Sequence, residues 1–146
     1  MLIHAHIFYH DLCVEILQYL QKVDINFDFF ITSTSPIEEN TLQKFSSIQF
    51  CNKVSQIIVP NIGRDVAPFI VEVLKLSDEY EYICHLHTKK SPHTFMGDYW
   101  RKYLLSSLFE SDLKFSELIK LEHNLYYPPP HFLLCTFLLR TFMGKI

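Results

Sequence analysis

The chain has 146 residues, 49% hydrophobic and 15% aromatic, enough for one domain with a core of its own and no need of disulfides or a structural metal. A net charge of −3 with no basic stripe excludes a nucleic-acid surface, and four cysteines, Cys13, Cys51, Cys84 and Cys135, without a CxxC pair exclude a zinc ribbon or thioredoxin-type motif. Reduced thiols and an opening MLIHAHIFYHD unlike a signal peptide lead to the expectation of a cytoplasmic protein.

Strand and helix signals alternate along the chain. LIHAHIFY (2–9) reads as a strand, and Asp11 is placed to cap a helix to about residue 23 with Leu12, Ile16, Leu17 and Leu20 at helical spacing. FDFFITS (27–33) is a second strand. Ser35-Pro36-Ile37-Glu38 has the form of a capping box with proline in the first turn, so a short helix is expected from there to about Phe45. VSQIIVP (54–60) is the third strand, Asp65 is placed to cap a helix over 66–77, and YEYICHLHT (80–88) is the fourth strand. Further helices are expected over about 99–109 and 112–123. YYPPPHF (126–132) reads as a rigid polyproline stretch, and Arg140 interrupts the apolar tail, so no membrane helix is expected there.

This alternation predicts an α/β fold: a mostly parallel sheet of about four strands with flanking helices, followed by C-terminal helices. One domain over 1–146 is expected, with an α/β part at 1–95 and a helical, proline-containing part at 96–146. In such sheets ligands bind outside the carboxyl ends of the strands, at the point where strand order reverses. Two polar segments fall there, VPNIGRDVAPF (59–69) after strand three and HLHTKKSPH (85–93) across the end of strand four. The ends of strands one, three and four are therefore expected side by side, gathering Asn61, Arg64, His87 and Lys89 into one pocket. A helix N-terminus beside Arg64, Lys89 and Lys90 would favour an anion, most simply a diphosphate.

Individual residues divide between framework and ligand roles. Gly63 suits a turn needing positive φ and Asp65 suits a helix cap. His4 and His6 share one face of strand one, where hydrogen-bonded core positions are the commoner use, and His4 is taken as structural. His85 and His87 share a face of strand four, with His87 nearer the carboxyl end and so favoured as a ligand residue.

In chain order HIFYHDL, VPNIGRDVAPFIVEVL, YEYICHLHTKKSPH, GDYWRKYLLSSLF and LYYPPPHF resemble the rhamnan synthesis protein F family of polysaccharide-biosynthesis proteins, over most of residues 4–132. The N-x-GRD-x-APF block followed by HLHTKKSPH is the specific part. The resemblance implies a rhamnosyltransferase-like enzyme of rhamnan or O-antigen type biosynthesis, with a GT-A-like, Rossmann-like nucleotide-sugar-binding half. It carries donor binding onto Asn61, Gly63, Arg64, Asp65, His85, His87, Thr88, Lys89 and Lys90. The implied partners are a nucleotide-sugar donor such as dTDP-rhamnose and a glycan acceptor, at the inner face of the cell membrane, with peripheral membrane or protein association.

Two departures from the pattern carry consequences. Where many GT-A-like enzymes hold a divalent cation with a D-x-D pair, this chain has His85-Leu86-His87-Thr88-Lys89-Lys90, so lysines are expected to neutralise the leaving diphosphate and no metal or other cofactor is required. The sequence after YYPPPHF also departs from the family, so a C-terminally truncated domain lacking the acceptor half is expected, and no general base is named. The alternatives are a metal-dependent hydrolase built on the two H-x-H pairs and a non-catalytic interaction domain.

Overall fold

A computed structural model describes residues 1–88, 90, 96–110, 114–121, 125–126 and 137–140. Strands β1 (Leu2–Ile7), β2 (Phe27–Ser33), β3 (Cys51–Ile58) and β4 (Tyr82–His87) are all parallel and stand in the order β3-β2-β1-β4. Beyond β4 the sheet continues through β6 (Phe137–Arg140), antiparallel to β4, and then β5 (Leu125–Tyr126). The α/β fold with a mostly parallel sheet is as the alternation predicts. One placement differs: β3 lies at the sheet edge with β2 between it and β1, so its carboxyl end is not beside those of β1 and β4.

Central position explains the composition of β1. Its residues are buried on both faces, Ile3, Ala5 and Ile7 on one and Leu2, His4 and His6 on the other, as expected of a parallel strand covered from both sides. The first face joins Phe27, Phe29 and Ile31 of β2 and Cys84 and Leu86 of β4 in the larger core. Helices α1 (Cys13–Leu20) and α2 (Glu39–Ser46) close it with Ile16, Leu20 and Phe45, the last packing on Phe29 at 4.8 Å between ring centroids. The second face carries a smaller core of Leu2, Ile83, Phe69 and Val73 under α3, a helical segment over 66–76. That segment is irregular: an α turn (Val66–Pro68), a π turn (Phe69–Val73) and a 3₁₀ turn (Leu74–Leu76).

Two expected helix caps are put to other uses. The first helix starts through a 3₁₀ turn (His10–Leu12) without a side-chain cap, and the Asp11 carboxylate pairs with Lys90 instead. Helix α2 begins at Glu39 rather than near Ser35. The Ser35 carbonyl is held by the Ser33 hydroxyl (2.7 Å) and the Gln56 amide (3.3 Å), which keeps the segment before α2 extended.

Helix α4 (Gly97–Phe109) adds Leu105, Leu108 and Phe109 to the larger core, and α5 (Phe115–Leu118) adds Phe115 and Leu118. A buried cation fixes α4 to α1: the Arg101 side chain is 7% exposed and reaches Glu15 at 2.7 Å and Asp98 at 2.8 Å. Lys22 and Glu110 form a second pair between the same regions, but both side chains are over 40% exposed. Arg101→Ala is therefore expected to lower stability by about 3 kcal/mol, since it strands the partly buried Glu15 carboxylate, while Lys22→Ala changes it by less than about 1 kcal/mol. Equal losses in urea unfolding would show that burial does not separate the two pairs.

Candidate functional site

The crossovers determine where a site can form. Helices α1 and α2 pack on one face and α3 on the other, so the direction of winding reverses between β1 and β4. At their carboxyl ends this adjoining pair presents His6, His87 and Thr88. Thr88 bolts the two ends together: its hydroxyl accepts the N–H groups of Phe8 (2.9 Å) and Tyr9 (3.0 Å), and its own N–H donates to the His6 carbonyl (3.0 Å).

Behind that edge lies a layer of buried imidazoles. Parallel register sets His4 beside His85 and His6 beside His87, all on the face covered by α3. His4 Nδ1 is 2.8 Å from His85 Nδ1, and the Thr32 hydroxyl lies 2.9 Å from both His4 Nε2 and His6 Nδ1. The His85 ring stacks parallel to His87, with centroids 6.4 Å apart, and Phe69 from the π turn packs on His85 at 4.7 Å. At the far end His85 Nε2 faces the Asp65 carboxylate at 3.6 Å, an ion-pair distance beyond good hydrogen-bond length. Among the described residues every buried side-chain nitrogen and oxygen has a partner.

Burial decides the charge state of this layer. It lowers the pKa of His4 well below the ordinary imidazole value, with His85 and His6 adding to the effect. Burial also lowers His6 and His85, and the Asp65 carboxylate opposes it in both. For Asp65 itself burial acts upward, but the His85 and His87 side chains outweigh it and hold the carboxyl well below its usual range. The resulting state at neutral pH is a carboxylate at Asp65 against neutral imidazoles at His4, His6 and His85.

Asp65 reaches β4 through a strained loop. Gly63 and Arg64 are both left-handed, at φ 71° and 56°, and Arg64 does this without the freedom of glycine. A Cβ on Gly63 would sit 2.4 Å from that of Ala67, so the turn also needs the missing side chain. Asp65 makes no capping hydrogen bond to α3, which corrects the expected cap: its partner lies on β4. The first α turn of α3 spans only Val66–Pro68, so the regular helix N-terminus expected to hold an anion is not formed. Asn61, Gly63 and Arg64 are exposed on the loop that leads from β3 to Asp65.

The expected site residues thus divide between one tight group and the exposed loop that leads into Asp65. Asp65, His85, His87 and Thr88 come together at β1 and β4, and Lys90 stands above them, paired with Asp11 and 5.0 Å from the centre of the Tyr9 ring. Lys89 and the proline run at 128–130 lie outside the described residues. Sequence reasoning missed Thr32 and undervalued His4 and His6; the usable signal was H-x-H on two strands, which parallel pairing sets side by side. A hollow of about 220 Å³ opens nearby between His10, Asp11, Glu38 and Thr41. Its two carboxylates make it a poor seat for an anion, so the candidate site is placed at the histidine edge instead.

Among the described residues no group of three or more His, Cys, Asp or Glu is arranged to hold a metal ion, and no helix is long and apolar enough to cross a membrane. Cys13 and Cys84 are buried free thiols, and burial pushes the Cys13 thiol up to about 11, out of reactive range.

The fold and the polar switch point define a doubly wound, Rossmann-like α/β protein. Its sequence matches the model of the family described as rhamnan synthesis protein F over residues 1–124, and the chain belongs to that family. No curated protein matches it. Membership gives the protein a role in rhamnan synthesis, a branch of polysaccharide biosynthesis.

The histidine layer makes stability pH-dependent with a definite sign. An imidazole whose pKa is lowered by folding binds its proton more readily in the unfolded chain, so its contribution is complete above about 6.5, the ordinary value, and is lost as pH falls through the folded pKa. Asp65, also lowered, adds a second loss below about 3.8. Urea midpoints are expected to be level above pH ~7 and to fall from pH ~6.5 downward, with unfolding coupled to uptake of one to three protons. A midpoint flat between pH ~7 and ~5 would contradict the buried neutral layer.

Proposed function

We propose that this chain is the donor-binding half of a rhamnosyltransferase-like enzyme, taking a nucleoside-diphosphate sugar at the carboxyl ends of β1 and β4. The observation that carries the reading is the coincidence of the winding reversal with His6, His87, Thr88 and Lys90, since ligands of doubly wound sheets lie at that point. Rhamnan synthesis makes dTDP-rhamnose the natural donor to test.

Chemistry in this reading is divided among the residues by position. Lys90, paired with Asp11, turns its ammonium to the diphosphate and offsets its charge as it leaves. Exposed Arg64 supplies a planar, two-pronged contact for phosphate oxygens, and this accounts for an arginine in a left-handed position that glycine would occupy without strain. His87 offers a hydrogen bond to the sugar or phosphate edge. No metal is required in this arrangement, because the cationic side chains meet the developing charge.

Calorimetric titration of the intact chain with dTDP-rhamnose tests the proposal. Saturable binding competed by dTDP is expected, and Lys90→Ala should weaken it by about 10- to 150-fold, the range of a charge-assisted hydrogen bond. Arg64→Gly should weaken binding while leaving the melting temperature unchanged or higher, since it removes the charge and the left-handed strain together. Absence of binding at millimolar donor, in a sample shown to be folded, would overturn the reading.

A further inference from the structure

The buried polar groups form a single directed chain: Asp65, His85, His4, Thr32, His6. Each inner group has two partners, so the protons cannot be assigned independently. Asp65 is a carboxylate and accepts only, and at 3.6 Å its negative charge favours a hydrogen on the ring nitrogen facing it, His85 Nε2. A neutral His85 then has a bare Nδ1, which must accept from Nδ1–H of His4. This leaves His4 Nε2 bare, so the Thr32 hydroxyl donates to it. The same hydroxyl oxygen is then the acceptor for Nδ1–H of His6. One carboxylate thereby fixes four proton positions, and the last ring of the chain is left with a bare Nε2.

That nitrogen differs from every other in the chain. It is the only ring nitrogen of His4, His6 and His85 with no partner among the described residues. No buried side-chain nitrogen or oxygen of those residues lacks a partner, so His6 Nε2 must reach solvent although the residue as a whole is 5% exposed. His6 stands near the carboxyl end of β1 at the winding reversal, beside His87 and under the Thr88 tie.

We propose that His6 Nε2 is the proton acceptor of this site, and that Asp65, His85, His4 and Thr32 are positioning residues that fix its tautomer. The inference rests on the donor-binding reading and names the base for its reaction. As a hydroxyl of the acceptor attacks the sugar, its O–H bond breaks and the proton passes to His6 Nε2. The oxygen's electron pair forms the bond to the anomeric carbon, and the bond from that carbon to the diphosphate breaks with its electron pair leaving on the diphosphate. The imidazolium left behind holds its Nδ1–H toward Thr32, and the carboxylate of Asp65 at the far end of the chain offsets its charge, as in triads whose carboxylate orients a histidine.

The test reads tautomers and rates in the same chain. Long-range ¹H–¹⁵N NMR of the histidine-labelled protein at pH about 7.5, above the ordinary imidazole value, is expected to show Nδ1–H on His6 and His4 and Nε2–H on His85. Asp65→Ala should break this order and place part of the His6 population in the Nε2–H form. Thr32→Val, which keeps the shape of the side chain and removes the hydroxyl link, should do the same with donor affinity retained. With saturating dTDP-rhamnose and water as the acceptor, release of dTDP by His6→Asn should be at least about 100-fold slower, the lower end of general-base contributions. A wild-type His6 carrying its hydrogen on Nε2, or an undiminished rate in His6→Asn, would overturn the inference alone. Failure of the wild-type chain to bind dTDP-rhamnose would overturn the donor-binding reading and the role of His6 together.

Discussion

Parallel strands in the middle of a sheet must be covered on both faces, and here one face of β1 and β4 carries four histidines. A buried imidazole left without partners costs about as much as a lost hydrogen bond or more, so the fold stands only if both nitrogens of each fully buried ring are engaged. Thr32 serves two rings from β2 and Asp65 serves the outermost one from the loop before α3. Much of the irregular structure follows from delivering that carboxylate. β3 sits at the sheet edge, so its exit loop must turn back across β2 and β1, and two successive left-handed residues, Gly63 and Arg64, make the turn. The π turn that follows sets Phe69 over His85 and closes the layer from above.

The division of the sheet between two cores gives the site its setting. One face is a conventional aromatic and aliphatic core under α1, α2, α4 and α5, and it holds the strands in register. The other is apolar only at its amino end, where Leu2 and Ile83 meet Phe69 and Val73, and becomes polar toward the carboxyl end. The polar half is thus built on strand rather than loop positions, which keeps the imidazoles rigid relative to one another. Lys90 and Arg64 stand on loops, Lys90 paired with Asp11 and Arg64 exposed.

Most of the framework was legible in the sequence because it depends on local periodicity. β1, β2 and β4 start and stop within two residues of their alternating runs, and α4 follows its apolar spacing. What was not legible depends on partners distant in the chain. Asp65 reads as a cap because its partner, His85, lies twenty positions away on a strand whose neighbour only the topology reveals. Ser35 reads as the start of a helix because Gln56, which ties down its carbonyl, belongs to β3. The edge position of β3 could not be read from alternation alone, which gives the strands and not their order. The grouping of His85, His87 and Thr88 survived these errors because all three are carried by one strand and its last peptide.

Mapping ligand contacts by NMR shows whether an anionic donor seats at the carboxyl ends of β1 and β4. On titrating the ¹⁵N-labelled chain with dTDP, the imidazole signals of His6 and His87 and the amides of Thr88 and Lys90 should move together along one saturating curve, while the amides of Glu38 and Thr41 beside the acidic hollow stay fixed. Shifts confined to that hollow, or none at His6 and His87, would contradict that seating.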